Sequence, residues 1–69
     1  MNLPHQVKFT RLITASTHSE NEWCETHVGR KHVDWARTIV HISHHRHEYT
    51  WRYSFNSAEH ATSFALVWC

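Results

Sequence analysis

The stretch Glu48-Tyr49-Thr50-Trp51-Arg52-Tyr53-Ser54-Phe55 constrains this chain more than any other feature. Successive side chains of an extended strand point to opposite faces. Tyr49, Trp51, Tyr53 and Phe55 therefore share one side, and Glu48, Thr50, Arg52 and Ser54 share the other. A sheet with one ring-bearing and one polar face must lay a second layer over the rings. With 69 residues in all, that layer has to come from a few short elements within a single domain, residues 1–69. A chain of this size buries only about 60% of the surface its unfolded form exposes. One Gly and one Pro exclude collagen-like and linker behaviour, and a 13% aromatic content argues against disorder.

The flanking segments supply candidates for the missing layer. In His5-Gln6-Val7-Lys8-Phe9-Thr10-Arg11-Leu12-Ile13-Thr14, Val7, Phe9 and Ile13 alternate with Lys8, Thr10 and Thr14, which predicts a half-buried strand. Arg11 falls on the apolar side and Leu12 on the polar one, so a bulge or strand end is expected there. Ser19 with Glu22, or Thr17 with Glu20, fits a capping box. Trp23, Cys24, His27 and Val28 then form one helical stripe, and Gly29 suits a left-handed cap. Arg37-Thr38-Ile39-Val40-His41-Ile42-Ser43 reads as a second strand, joined to the third by the turn Ser43-His44-His45-Arg46-His47. Asn56 and Ser57 offer a cap, with Glu59 in the first turn. Ala58, Ala61, Phe64 and Ala65 then suit a short helix. Leu66-Val67-Trp68-Cys69 reads as that helix's last turn or as a short final strand.

The order βαββα, closed by that short final strand, predicts an α+β fold. We expect a small ferredoxin-like sandwich, an antiparallel sheet with two short helices on one face. Its expected core packs Val7, Phe9, Ile13, Val40, Ile42, Trp51, Tyr53 and Phe55 against Trp23, Val28, Ala61 and Phe64. So small a core stands near balance with chain entropy, and a homo-oligomer or a larger assembly would add burial.

Trp23-Cys24 followed by Gly29, and Tyr53-x-Phe55 followed by Ala58, Ala61, Phe64, Leu66 and Trp68, carry a resemblance. From Trp23 onward the chain resembles a loose class of short proteins encoded by tailed bacteriophages. Those proteins have a Trp-Cys pair before a Gly and an aromatic-x-Phe, Ala, Phe-x-Leu-x-Trp ending. Their Gly-Pro-Arg-like continuation after the helix stands here as Gly29-Arg30-Lys31. The resemblance implies a phage origin and a fold, and it hands over no site residue.

Other features narrow the function classes. The longest apolar run is the six residues Phe64-Ala65-Leu66-Val67-Trp68-Cys69, where a membrane-spanning helix needs about 20. Pro4, His5, Gln6 and Lys8 interrupt any signal-like segment. The expected location is the cytoplasm (of a host cell, for a phage protein) or a virion, with no membrane partner. Cys24 and Cys69 read as free thiols in a reducing compartment, although one bridge is arithmetically possible. A formal charge of +1 gives no strong pull toward nucleic acid or anionic lipid at neutral pH. Below about pH 6 the nine His would make the chain cationic.

Three chemistries compete for the polar residues. His41-x-x-His44-His45-x-His47 and Cys24-x-x-His27 are two ligand fragments. A zinc site would need Cys24 and His27 to meet two of His44, His45 and His47; the plainer reading is a solvated turn, with Cys24 and His27 lining the core. No cofactor is expected. A Cys24–His nucleophilic pair needs a lowered thiol pKa, which an apolar stripe beside Trp23 does not supply, so no enzyme is expected. The sheet face opposite the rings would carry Lys8, Thr10, Arg37, His41, Thr50 and Arg52, a basic surface able to meet phosphates. It lacks the exposed aromatics on which bases stack.

The favoured expectation is a small protein-interaction module that binds a host or virion protein through this face and the His-rich hairpin. Arg37, His41, Arg46, Tyr49 and Arg52 would carry the contact. Tyr49, Trp51, Trp35 and Trp68 are the aromatic hot-spot candidates.

Overall fold

The alternating segments do form strands, and the two segments expected to coil form helices. The computed structural model describes residues 3–69, with β1 His5–Leu12, α1 His18–His27, β2 Trp35–Ser43, β3 Glu48–Phe55 and α2 Ala58–Trp68. The three strands make one antiparallel sheet in the order β1-β3-β2. The ring-bearing strand β3 is therefore central, and Trp51 lies mid-sheet instead of at an edge. Two helices on a three-stranded antiparallel sheet give a small α+β fold. The expected final strand is absent, because α2 continues to Trp68 and the Cys69 N–H donates to the Ala65 carbonyl at 3.0 Å. Phe64 and Trp68, one turn apart, both face the core side, with ring centroids 6.5 Å apart, which holds the last turn helical.

Cross-strand register sorts the sheet into two faces. On the helix side the rows are His5, Phe55 and Trp35; Val7, Tyr53 and Arg37; Phe9, Trp51 and Ile39; and Arg11, Tyr49 and Ile42. The core centres on Phe64 of α2, whose ring lies 4.8 Å from Tyr53, 5.3 Å from Phe55, 5.6 Å from Phe9 and 5.7 Å from Trp23 of α1. Trp35, a candidate contact residue from its place beside a turn, is fully buried and stacks on Tyr53 at 5.9 Å. Its indole N–H donates to the Gly29 carbonyl at 3.0 Å.

Two expectations about the core fail. Val40 and Ile42 are exposed instead of buried. A β-bulge between Ile39 and His41 takes Val40 out of the alternation, whereas Ile42 keeps the expected side and lacks a helix above it. Upstream of the bulge Trp35, Arg37 and Ile39 face the helices; downstream Ile42 does, beyond the helices' cover. Of the two alternatives at Arg11–Leu12, the strand end is the one found, β1 ending at Leu12, and no bulge occurs at Arg11. That residue faces inward in regular register because its charge is matched there: it lies 3.6 Å from the Glu20 carboxylate and donates to the Trp68 carbonyl at 2.8 Å. Ile13 lies just past the end of β1 and is only half-buried.

The helix ends follow local chemistry. Ser57 caps α2, its hydroxyl accepting the His60 N–H at 3.2 Å. Thr17 occupies the N-cap of α1 without making a side-chain cap, since its hydroxyl accepts from the Arg37 guanidinium instead. Gly29 closes α1, its N–H bonded to the Cys24 carbonyl at 3.0 Å, with φ at +145°. A Cβ at this position would overlap the Asp34 carboxylate, which holds the Arg30 N–H at 3.0 Å and the Asn56 amide at 3.1 Å. Gly29→Ala is therefore expected to cost about 1–3 kcal/mol, read as a lowered urea midpoint at unchanged m-value. An unshifted midpoint would show that the loop yields freely.

Candidate functional site

The face of the sheet away from the helices is built from four polar rows. They are Gln6, Ser54 and Ala36; Lys8, Arg52 and Thr38; Thr10, Thr50 and His41; and Leu12, Glu48 and Ser43. Each residue is there because its neighbours in sequence are the rings and aliphatics drawn to the helix side. No Phe, Tyr or Trp stands in these rows, and Glu48 is their one carboxylate.

Two features give this face chemical character. Lys8 and Arg52 are direct cross-strand partners. Like charges placed opposite one another destabilise a strand pair. Among the described residues the side chains within ion-pair distance of a carboxylate are Arg11, beside Glu20, and His18, beside Glu22, so neither Lys8 nor Arg52 has a carboxylate beside it. The Arg52 Nε–H is sequestered from solvent without an acceptor. The second feature is a shallow depression of about 240 Å³ lined by Thr10, His41, Ser43, Arg46, Glu48 and Thr50. Its floor is fixed by a 3.0 Å hydrogen bond between the Thr10 and Thr50 hydroxyls. Its rim is fixed by the Arg46 N–H donating to the Ser43 hydroxyl at 3.3 Å. The turn itself is tight, with His47 at φ +56°, and is anchored to β1 by the Ile13 N–H donating to the His47 carbonyl at 2.7 Å.

The expected contact residues divide between the two faces. His41, Arg46 and Arg52 belong to the outward face and its depression. Arg37 does not: it faces the helices, stacks its guanidinium 4.4 Å over the Trp51 ring and donates to Thr17. Tyr49 also faces the helix side, edge-on to Trp51 at 6.5 Å. The bulge explains Arg37, since from Ile42 alone strict alternation would send residue 37 outward. Tyr49 is on the face its alternation with Trp51 requires, and so never belonged with His41 and Arg52. The opposition of Lys8 to Arg52 is a matter of register between strands some forty residues apart, and no local signal encodes it.

The metal fragments do not meet. Cys24 is fully buried, and burial, reinforced by Glu20 and Glu25, pushes its thiol up to about 12. It is neither a ready thiolate ligand nor a nucleophile at neutral pH. His27 is exposed, its ring 4.9 Å from Trp23, while His44, His45 and His47 stand exposed on the hairpin turn. Among the described residues no three His, Cys, Asp or Glu side chains converge on a common point.

A larger open depression of about 580 Å³ is lined by Glu25, Gly29, Arg30, Lys31 and Asp34. Its Asp34 carboxylate is already engaged, one oxygen holding the loop after α1 through the Arg30 N–H and the other the Asn56 amide after β3, which marks the depression as a consequence of these connections. No described helix is long and apolar enough to cross a membrane. Compared with protein families, curated proteins and solved structures, the chain matches none.

Proposed function

We propose that this chain is a small non-enzymatic binding module whose outward sheet face engages an acidic patch on a partner protein. The observation that carries the reading is Lys8 standing opposite Arg52 with no carboxylate beside either. A carboxylate set between them would relieve their repulsion and gain charge-assisted hydrogen bonds. His41 and Arg46 extend the same charge toward the hairpin, and Thr10, Thr38 and Thr50 add neutral hydrogen-bonding groups around it. The buried rings supply the rigid platform, so contact requires little ordering of the backbone.

Two further readings belong with this proposal. The order β1-β3-β2, with β1 and β2 parallel to each other and joined through α1, supports a ferredoxin-like sandwich lacking its fourth strand. A phage origin would make the partner a host or virion protein, met in the cytoplasm or on the particle.

The test is comparative affinity purification from the natural cell, with wild-type and Lys8→Ala/Arg52→Ala chains as bait. Both side chains point away from the core, so the double variant is expected to melt as the wild type does, or slightly higher. The partner protein should be retained by the wild type and lost from the variant. Equal retention by both would remove the face from consideration. Retention of nucleic acid, released steeply by added salt, would replace the proposal with phosphate-backbone binding by the same residues.

A further inference from the structure

We infer that the chain forms a two-fold homodimer by joining the free edges of two β2 strands, a contact separate from the outward face. In the order β1-β3-β2, β2 has no strand on its far side. A bridge from Lys31 covers only its first residue, Trp35, and residues 38–43 leave a row of backbone N–H and C=O groups unpaired. Sheet edges are ordinarily blunted by Lys, Pro, inward charges, bulges or a covering element. This one carries a bulge between Ile39 and His41 but none of the others. Here Thr38-Ile39-Val40-His41-Ile42-Ser43 contains no Lys, Arg, Pro, Asp or Glu. Ile39, Val40 and Ile42 are 38%, 40% and 44% exposed. Packing of α2 is against β1 and β3, which leaves this half of β2 bare. Trp51 and Tyr49 stand directly beside Ile39 and Ile42 in the sheet. The bare strip is therefore an outward continuation of the core.

A second copy is the fitting occupant because the strip is complementary to itself. Without a bulge, residues 39 and 42 would point to opposite faces. The bulge between Ile39 and His41 puts both isoleucines on the helix side, opposite Trp51 and Tyr49. It leaves both Thr38 and Ser43 outward, opposite Arg52 and Glu48. A two-fold axis passing between Val40 and His41 then sets Ile39 against the second copy's Ile42, and Thr38 against its Ser43. Aliphatic meets aliphatic on one face and hydroxyl meets hydroxyl on the other. Arg37, the nearest fixed charge on the strand, is already engaged by Thr17 and Trp51 of its own copy. The formal charge of +1 leaves little repulsion between copies. The bulge that bends this edge thus also creates its self-matching pattern. The paired segment spans six residues, about 20 Å.

Sedimentation equilibrium on the whole chain reads this directly. Wild-type protein should rise with concentration toward twice the chain mass and no further. Ile39→Lys/Ile42→Lys changes two exposed positions and should keep its circular dichroism while staying at a single chain mass throughout. If that variant fails to fold, amide exchange on the wild type decides. Protection at residues 38–43 should grow with protein concentration, while that of the β1 amides stays constant. A wild type that remains monomeric at millimolar concentration, a double-lysine variant that pairs as the wild type does, or growth into open-ended assemblies would each overturn the inference.

Discussion

Phe64→Ala is expected to remove a large share of the protein's folding stability. The Phe64 ring is fully buried and touches rings from β1, β3 and α1, so it joins the two helices to the sheet through one side chain. Truncating a buried Phe costs about 3–5 kcal/mol through lost transfer energy and the cavity left behind. A chain of 69 residues has roughly 3–10 kcal/mol of stability in total. Little room exists for collapse around the hole, because the surrounding rings are held by strand register. Phe64→Leu keeps most of the volume and should cost less than about 2 kcal/mol. Urea unfolding followed by near-ultraviolet circular dichroism separates the two variants. An alanine variant as stable as the leucine one would mean that the ring cluster is not the centre of the core.

The second large effect lies at the Arg11–Glu20 pair. Glu20 is a helix residue with only 5% of its side chain exposed, facing Arg11 at 3.6 Å, an ion-pair distance longer than a hydrogen bond. Arg11 also holds the Trp68 carbonyl and lies 4.4 Å over the Phe9 ring. One guanidinium therefore ties β1 to the start of α1 and the end of α2. Removing one partner of a buried pair costs about 3–5 kcal/mol, chiefly because the other charge is stranded. Arg11 is 29% exposed, and water reaching it moderates the loss, so Arg11→Met is expected to cost about 2–3 kcal/mol. Adding Glu20→Gln should return part of that cost, since no charge is then left unpaired. A double-mutant cycle measures the coupling. Additive single losses would show that the pair is an accident of proximity.

These two sites show how the fold divides labour between the faces of its sheet. On the helix side every charge is answered: Arg11 by Glu20 and a carbonyl, Arg37 by Thr17 and the face of Trp51. On the outward side Lys8 and Arg52 are left facing one another. The rigid aromatic layer makes that possible, because stability drawn from the rings tolerates an unfavourable surface pair of a few tenths of a kcal/mol. The proposed binding face and the proposed dimer edge are then compatible. Edge pairing would extend one sheet and leave its outward side open.

Much of this was legible in the residues themselves. The period-two pattern from Glu48 to Phe55 marked β3, and its rings did turn to the helices. Ser57 marked the start of α2, and Cys24 in its apolar stripe is buried. Arg37 and Val40 were misplaced because a single inserted residue in β2 reverses which side chains share a face, while Ile42 is on the expected face but beyond the helices' cover. Nothing in Thr38-Ile39-Val40-His41 announces that insertion. Trp35 was a contact candidate for its place near a turn; its burial depends on its pairing with Phe55, twenty residues away.

The amino-acid order alone determined which segments extend, which coil and which side of β3 turns from water, because those choices depend on neighbours a few positions apart. Only the tertiary structure decided that β3 is central, that Lys8 meets Arg52 and that β2 carries a bare, bulged edge. Those outcomes depend on register between segments distant in the chain, and register is fixed by the packing of the whole core.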